Sequence, residues 1–123
     1  MKYLLIGFGG AIGAVGRYLL QGLVYQFTGA TFPYGTLVVN ILGCFLIGLI
    51  MELSADRFLI DAQLRVFITI GVLGGFTTFS SFGYETFALL RDGELVRASF
   101  NVIGSVMAGL AAVWLGFVTA HIL

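Results

Sequence analysis

Charge is what this chain has least of. Lys and Arg together number 6, Asp and Glu another 6, and they cancel to a formal net charge of zero over 123 residues. A soluble globule carries charge at about a quarter of its positions, and here the share is 10%. Too few polar side chains exist to coat a water-facing surface, so the surrounding solvent must be largely lipid. Six scattered cations make no basic footprint, which argues against nucleic acid as a partner. High hydrophobicity at zero net charge excludes disorder. One cysteine, Cys44, excludes an internal disulfide and a multi-cysteine metal cluster within one chain. Its apolar neighbours make it a small packing residue. One histidine, His121, lies two residues from the end and reads as an interfacial side chain. No Ser/His/acid set can be placed at one depth and no phosphate loop is present, so an enzyme is not expected.

What the chain has is long apolar runs. A membrane-spanning helix takes about 20 of them in a row. Four segments qualify, at about 3–27, 34–53, 66–90 and 97–121, and the connectors between them hold most of the charge. Long alternating strands are absent, so a lipid-facing barrel is not expected. The start, Met1-Lys2 before an apolar run, imitates a signal peptide, but the run contains Arg17, continues to Phe27 and lacks a convincing small-x-small cleavage site. The expected fold is a single all-α integral membrane domain of four spans.

Small residues line one face of three spans. Gly9, Gly13, Gly16 and Arg17 share a face in the first. Thr36, Asn40, Gly43, Cys44 and Gly48 do so in the second, and Asn101, Ser105, Ala108, Gly109 and Ala112 in the fourth. Lipid gives helices no hydrophobic reason to pair, so close approach through small residues must supply the attraction. Most of these glycines need no other explanation. Arg17 and Asn40 do, because polar groups deep in a span are costly and face a bundle interior or a wet cavity.

Loop charges carry the orientation signal. Lys2, Arg57 and Arg65 fall on one side, Arg91 and Arg97 on the other. Orientation follows Lys/Arg asymmetry, and three against two is almost none. The chain is therefore expected to insert both ways and to pair with an inverted copy of itself. Four short helices also enclose too little interior for a pathway of their own.

The third span carries the chemistry. Gly74-Gly75 costs about 1 kcal/mol per glycine in helix stability. The hydroxyls of Thr77, Thr78, Ser80 and Ser81 then compete for backbone partners. A break there frees carbonyls at membrane depth, tolerated only inside protein or beside water. Freed carbonyls are hard ligands suited to an alkali cation. The alternative is a tolerated kink with hydroxyls bonded one turn back. Phe79 and Phe82 share a face if helix resumes after the break. Ring edges are positive, so the pair can touch an anion, and Asn40 can add an amide donor. Two core phenylalanines among 12 are the plainer reading.

Taken together, Gly9 to Tyr18, Gly35 to Asn40, Gly74 to Phe82 and the small, polar-striped fourth span resemble the small fluoride channels, the Fluc (CrcB) family. The resemblance covers essentially the whole chain. It implies a passive exporter of cytoplasmic fluoride in the cell (inner) membrane, built as an antiparallel, dual-topology homodimer with two pores. It implies a structural sodium ion at the dimer centre, held by the carbonyls of Gly74 and Thr77. Phe79 and Phe82 would line the pores, Asn40 would donate to the ion, Ser80 and Ser105 would form a polar track, and Arg17 would face the aqueous vestibule. Gly83 departs from a serine often found after the second phenylalanine, and Asn101 and Gly109 stand where related sequences carry tyrosine and serine.

Two other classes fit the length. A small drug/proton antiporter also has four spans and dual topology, but its class carries an acid inside the first span, where this chain has Arg17, and Glu85 lies late in the third. A noncatalytic assembly subunit would need neither the Gly-Gly break, nor Asn40, nor the phenylalanine pair.

Overall fold

The computed structural model describes residues 1–56 and 60–123, and Arg57 lies outside the described residues. The described chain is helical. Helix α1 is Lys2–Thr28 and α2 is Tyr34–Asp56. The third span begins as α3, Ala62–Val66, capped by the Asp61 side chain, which accepts from Leu64 N–H at 2.8 Å. It widens into a π-helical turn over Phe67–Val72 and closes as α4, Leu73–Phe76. Thr77 and Thr78 are extended, and helix resumes as α5, Phe79–Arg91. The last helix, α6, is Leu95–Ile122. Four helical stretches, with α3 to α5 counted as one, are long and apolar enough to cross a membrane.

The span limits agree with the apolar runs, and helix continues a few residues past them, as charged ends outside hydrocarbon allow. The break does not fall where the glycines alone would put it. Gly74 and Gly75 are helical, and the extended pair is Thr77–Thr78, with φ, ψ of −85°, 158° and −148°, 119°. β-Branched residues sit well in extended backbone, and Thr78 acts as the N-cap of α5, accepting from Ser81 N–H at 3.2 Å. The π-helical turn has no counterpart in the sequence reading.

Glycine sets the packing. A Cβ on Gly75 would lie 2.6 Å from the Gly10 carbonyl oxygen, and one on Gly71 3.1 Å from Gly9 Cα, so α1 meets the third span backbone to backbone. Gly48 and Gly116 do the same for α2 and α6, facing the Val113 and Phe45 carbonyls. The opposite faces carry exposed Phe8, Leu19, Phe100 and Trp114. Buried apolar residues are few, among them Val39, Leu73 and Ala112. This is the inverse of a soluble bundle, with small residues at the contacts and large apolar ones outside, as a lipid solvent requires. At one end His121 Nε2 pairs with Glu52 Oε2 at 2.6 Å, tying α6 to α2.

Candidate pore groove and the broken third span

An interrupted helix inside a membrane needs partners for its loose backbone groups. The Asn40 side chain supplies two. Its Nδ2 donates to the Thr78 carbonyl at 3.1 Å, and its Oδ1 accepts from Thr78 N–H at 2.9 Å. A side-chain amide has the same donor and acceptor as a peptide, so Asn40 substitutes for the helical neighbours that Thr78 has lost. Arg17 supplies a third partner, Nε donating to the Gly75 carbonyl at 3.2 Å. Thr77 turns back on its own helix, with both N–H and Oγ1 on the Leu73 carbonyl at 3.0 Å. Among the described residues, the carbonyls of Gly74, Phe76 and Thr77 receive no hydrogen bond.

A groove of about 390 Å³ runs beside the break. It is bordered by Asn40, Gly74, Thr77, Phe79, Phe82 and Ser105, six of the eight residues singled out from the sequence. The Phe79 and Phe82 rings stand 5.6 Å apart between centroids, tilted by 44°. Phe79 is 82% exposed although it sits in the middle of a span. Ser80 and Arg17 do not border the groove. Ser80 is exposed, its Oγ 3.5 Å from Thr78 Oγ1, and Arg17 is committed to the Gly75 carbonyl.

Two polar chains lie behind the groove. In the first, Gln21 Nε2 donates to Thr36 Oγ1 at 3.2 Å, and Thr36 Oγ1 donates to Glu85 Oε2 at 3.0 Å. Glu85 Oε1 is buried with no hydrogen-bond partner among the described residues. In the second, Ser105, Asn101 and Thr86 connect in turn to the Phe82 carbonyl. Gln21 and Thr86 were not singled out from the sequence. Gln21 had a signal, lying one helical turn beyond Arg17 on the same face. Thr86 had none, since a threonine bonded one turn back looks like packing.

The residues suit an alkali cation in one respect. Three carbonyls without donors are hard oxygen ligands, and Gly74 is exposed at this point of the chain. Among the described residues no group of three His, Cys, Asp or Glu side chains is placed to hold a metal ion. Any ion here would rest on backbone oxygen, and one chain offers too few oxygens to surround it.

Fold and groove define the class: a small multi-pass membrane protein with a largely apolar groove, edged by a few polar side chains, at a helix break. Residues 4–117 match the family described as CrcB-like protein, Camphor Resistance (CrcB), and the chain belongs to that family. It is 59% identical over 112 residues to the "Fluoride-specific ion channel FluC" of Geobacter metallireducens, covering 91% of this chain and 90% of that one. It is 58% identical over 116 residues to the protein of that name from Geotalea daltonii, covering 94% of each. To the one from Opitutus terrae it is 56% identical over 120 residues, covering 96% of this chain and 91% of that one.

Proposed function

We propose that this chain is a fluoride-selective channel and not an enzyme. It lets cytoplasmic fluoride leave down its electrochemical gradient across the cell (inner) membrane. Relatives more than half identical along nearly the whole chain carry the name of such a channel. The observation that carries the reading here is the gathering of Asn40, Phe79, Phe82 and Ser105 around one groove at the helix break.

Fluoride is small and strongly hydrated, and burying it without replacement donors is prohibitive. An amide hydrogen of Asn40 beyond the one given to Thr78, the hydroxyl of Ser105 and the positive ring edges of Phe79 and Phe82 distribute that replacement. Distributed weak sites let an ion enter without being trapped. Ser80 extends the hydroxyl series if Thr78 releases it. Arg17 adds positive potential beside the break. A membrane potential negative inside drives the anion outward without ATP.

The working unit is two chains in opposite orientations, with one pore each side of the shared centre. Support comes from the near-balanced loop charges, and from a groove left open where Phe79 is exposed. A sodium ion at that centre would be held by the Gly74 and Thr77 carbonyls of both copies. When bound it supplies fixed positive charge near an otherwise neutral path.

The test is purified protein in vesicles loaded with potassium fluoride. Fluoride efflux should start on adding a potassium ionophore and proceed without drug-coupled proton movement. Absence of efflux, or proton flow coupled to a drug cation, ends this reading. For orientation, a C-terminal tag should be reachable from both sides of the membrane in cells, and a tag reachable from one side alone ends the inverted pair.

A further inference from the structure

A chain of hydrogen bonds leads from the groove into the helix pair behind it, and its direction is fixed at its far end. The Phe82 carbonyl can only accept. Thr86 Oγ1 lies 2.8 Å from it and must donate its single hydrogen there. Thr86 Oγ1 can then only accept from Asn101 Nδ2, 2.9 Å away. That orients the amide, so Asn101 Oδ1 faces Ser105 Oγ at 3.5 Å. An amide oxygen has no hydrogen, and the Ser105 hydroxyl is therefore the donor. Asn101 is 3% exposed and Thr86 9%, so water has little access to rearrange the chain.

Ser105 borders the groove. Its one hydrogen, the part an anion needs, is directed into the protein at Asn101, and its lone pairs are left for the groove. At 3.5 Å the contact is longer than an ordinary hydroxyl hydrogen bond and therefore weak, so a stronger acceptor in the groove can take the hydrogen by rotation about one side-chain torsion. We propose that Asn101 is a positioning residue that holds the Ser105 hydrogen in reserve and thereby sets how tightly the groove binds a small anion. This rests on the channel reading above. Asn101 touches no ion itself; it competes with the ion for one proton.

Fluoride efflux is measured against fluoride concentration for the wild type, Asn101→Leu, Thr86→Val, Ser105→Ala, and both of the first two combined with Ser105→Ala. Leucine removes the competing acceptor and keeps the branched heavy-atom skeleton of the side chain. Half-saturating fluoride should fall about three- to fivefold, the worth of one weak hydrogen bond. Thr86→Val lies on a different helix and frees the Asn101 amide to turn over and donate to Ser105. It should shift half-saturation the same way. Neither change should move it once Ser105 is alanine. A purely structural role would lower yield and maximal flux without two same-direction shifts that Ser105→Ala cancels. Unchanged half-saturation in the variant that folds, or a shift that survives Ser105→Ala, overturns the proposal. If the wild type passes no fluoride, the channel reading fails and the proton is read directly. Proton NMR of the anion-free protein should find the Ser105 hydroxyl hydrogen beside the Asn101 carboxamide, and a hydrogen directed into the groove overturns the proposal.

Discussion

Asn40 and Thr78 face each other as two peptide groups would. One side-chain amide gives its hydrogen to the Thr78 carbonyl and takes the hydrogen of Thr78 N–H, at 3.1 and 2.9 Å. The residue expected to act only as an anion donor is also what closes the backbone at the break. The closure is compatible with the proposed anion donation, because Nδ2 has a second hydrogen.

Asn40→Asp separates those tasks. An aspartate still accepts from Thr78 N–H but leaves the Thr78 carbonyl without a donor and repels an anion. Thermal unfolding in detergent should show a loss of about 1–3 kcal/mol, the cost of a buried group left unpaired, and vesicle efflux should drop sharply. Wild-type stability together with wild-type efflux would make Asn40 a packing residue.

The phenylalanine edges are tested by Phe79→Ile and Phe82→Ile. Each keeps apolar bulk and removes the ring. An aromatic contact contributes about 0.5–1.5 kcal/mol beyond its area, so efflux should fall by roughly threefold to tenfold per ring while the variant still elutes at the size of the wild type. Unchanged efflux in both variants removes the rings from the ion path.

Arg17 carries two proposals that one pair of variants divides. Its Nε–H reaches the Gly75 carbonyl at 3.2 Å, and its charge can attract anions. Arg17→Lys keeps the charge but has no planar Nε–H fork. If capping the carbonyl matters, Lys and Gln variants should lose stability alike in thermal unfolding. If charge matters, only the Gln variant should lose efflux at low salt, and the gap should close as salt is added. Wild-type behaviour of both variants in both measurements would remove either role.

The packing claim rests on glycines that differ in what surrounds them. A methyl at Gly75 would press on the Gly10 carbonyl oxygen at 2.6 Å, whereas one at Gly22 meets nothing within 4 Å. Gly75→Ala should cost about 1–3 kcal/mol through overpacking. Gly22→Ala should be neutral or stabilising by up to about 1 kcal/mol, the helix preference of alanine. Equal melting temperatures for the two variants would contradict this account of α1 against the third span.

Much of this was legible in the sequence, for identifiable reasons. Runs of about 20 apolar residues favour membrane-spanning helices, so the four helices followed from composition. Gly74-Gly75 beside four hydroxyls left a break and a tolerated kink both open, and the extended Thr77–Thr78 pair is the break. The glycines serve the approach to Gly10, and the threonines take the extended backbone. The grip of Asn40 on Thr78 and of Arg17 on Gly75 joins residues 38 and 58 apart. Nothing local encodes such pairs. The direction of the Ser105–Asn101–Thr86 chain depends on a backbone carbonyl that only the folded helix places.

Electrical recording tests the central claim most directly. With the purified protein in a planar bilayer under a fluoride gradient, current should flow and reverse at the equilibrium potential of fluoride, and replacing fluoride by chloride should abolish it. A bilayer that stays silent, or a reversal that follows protons or chloride instead, would contradict a fluoride-selective pore.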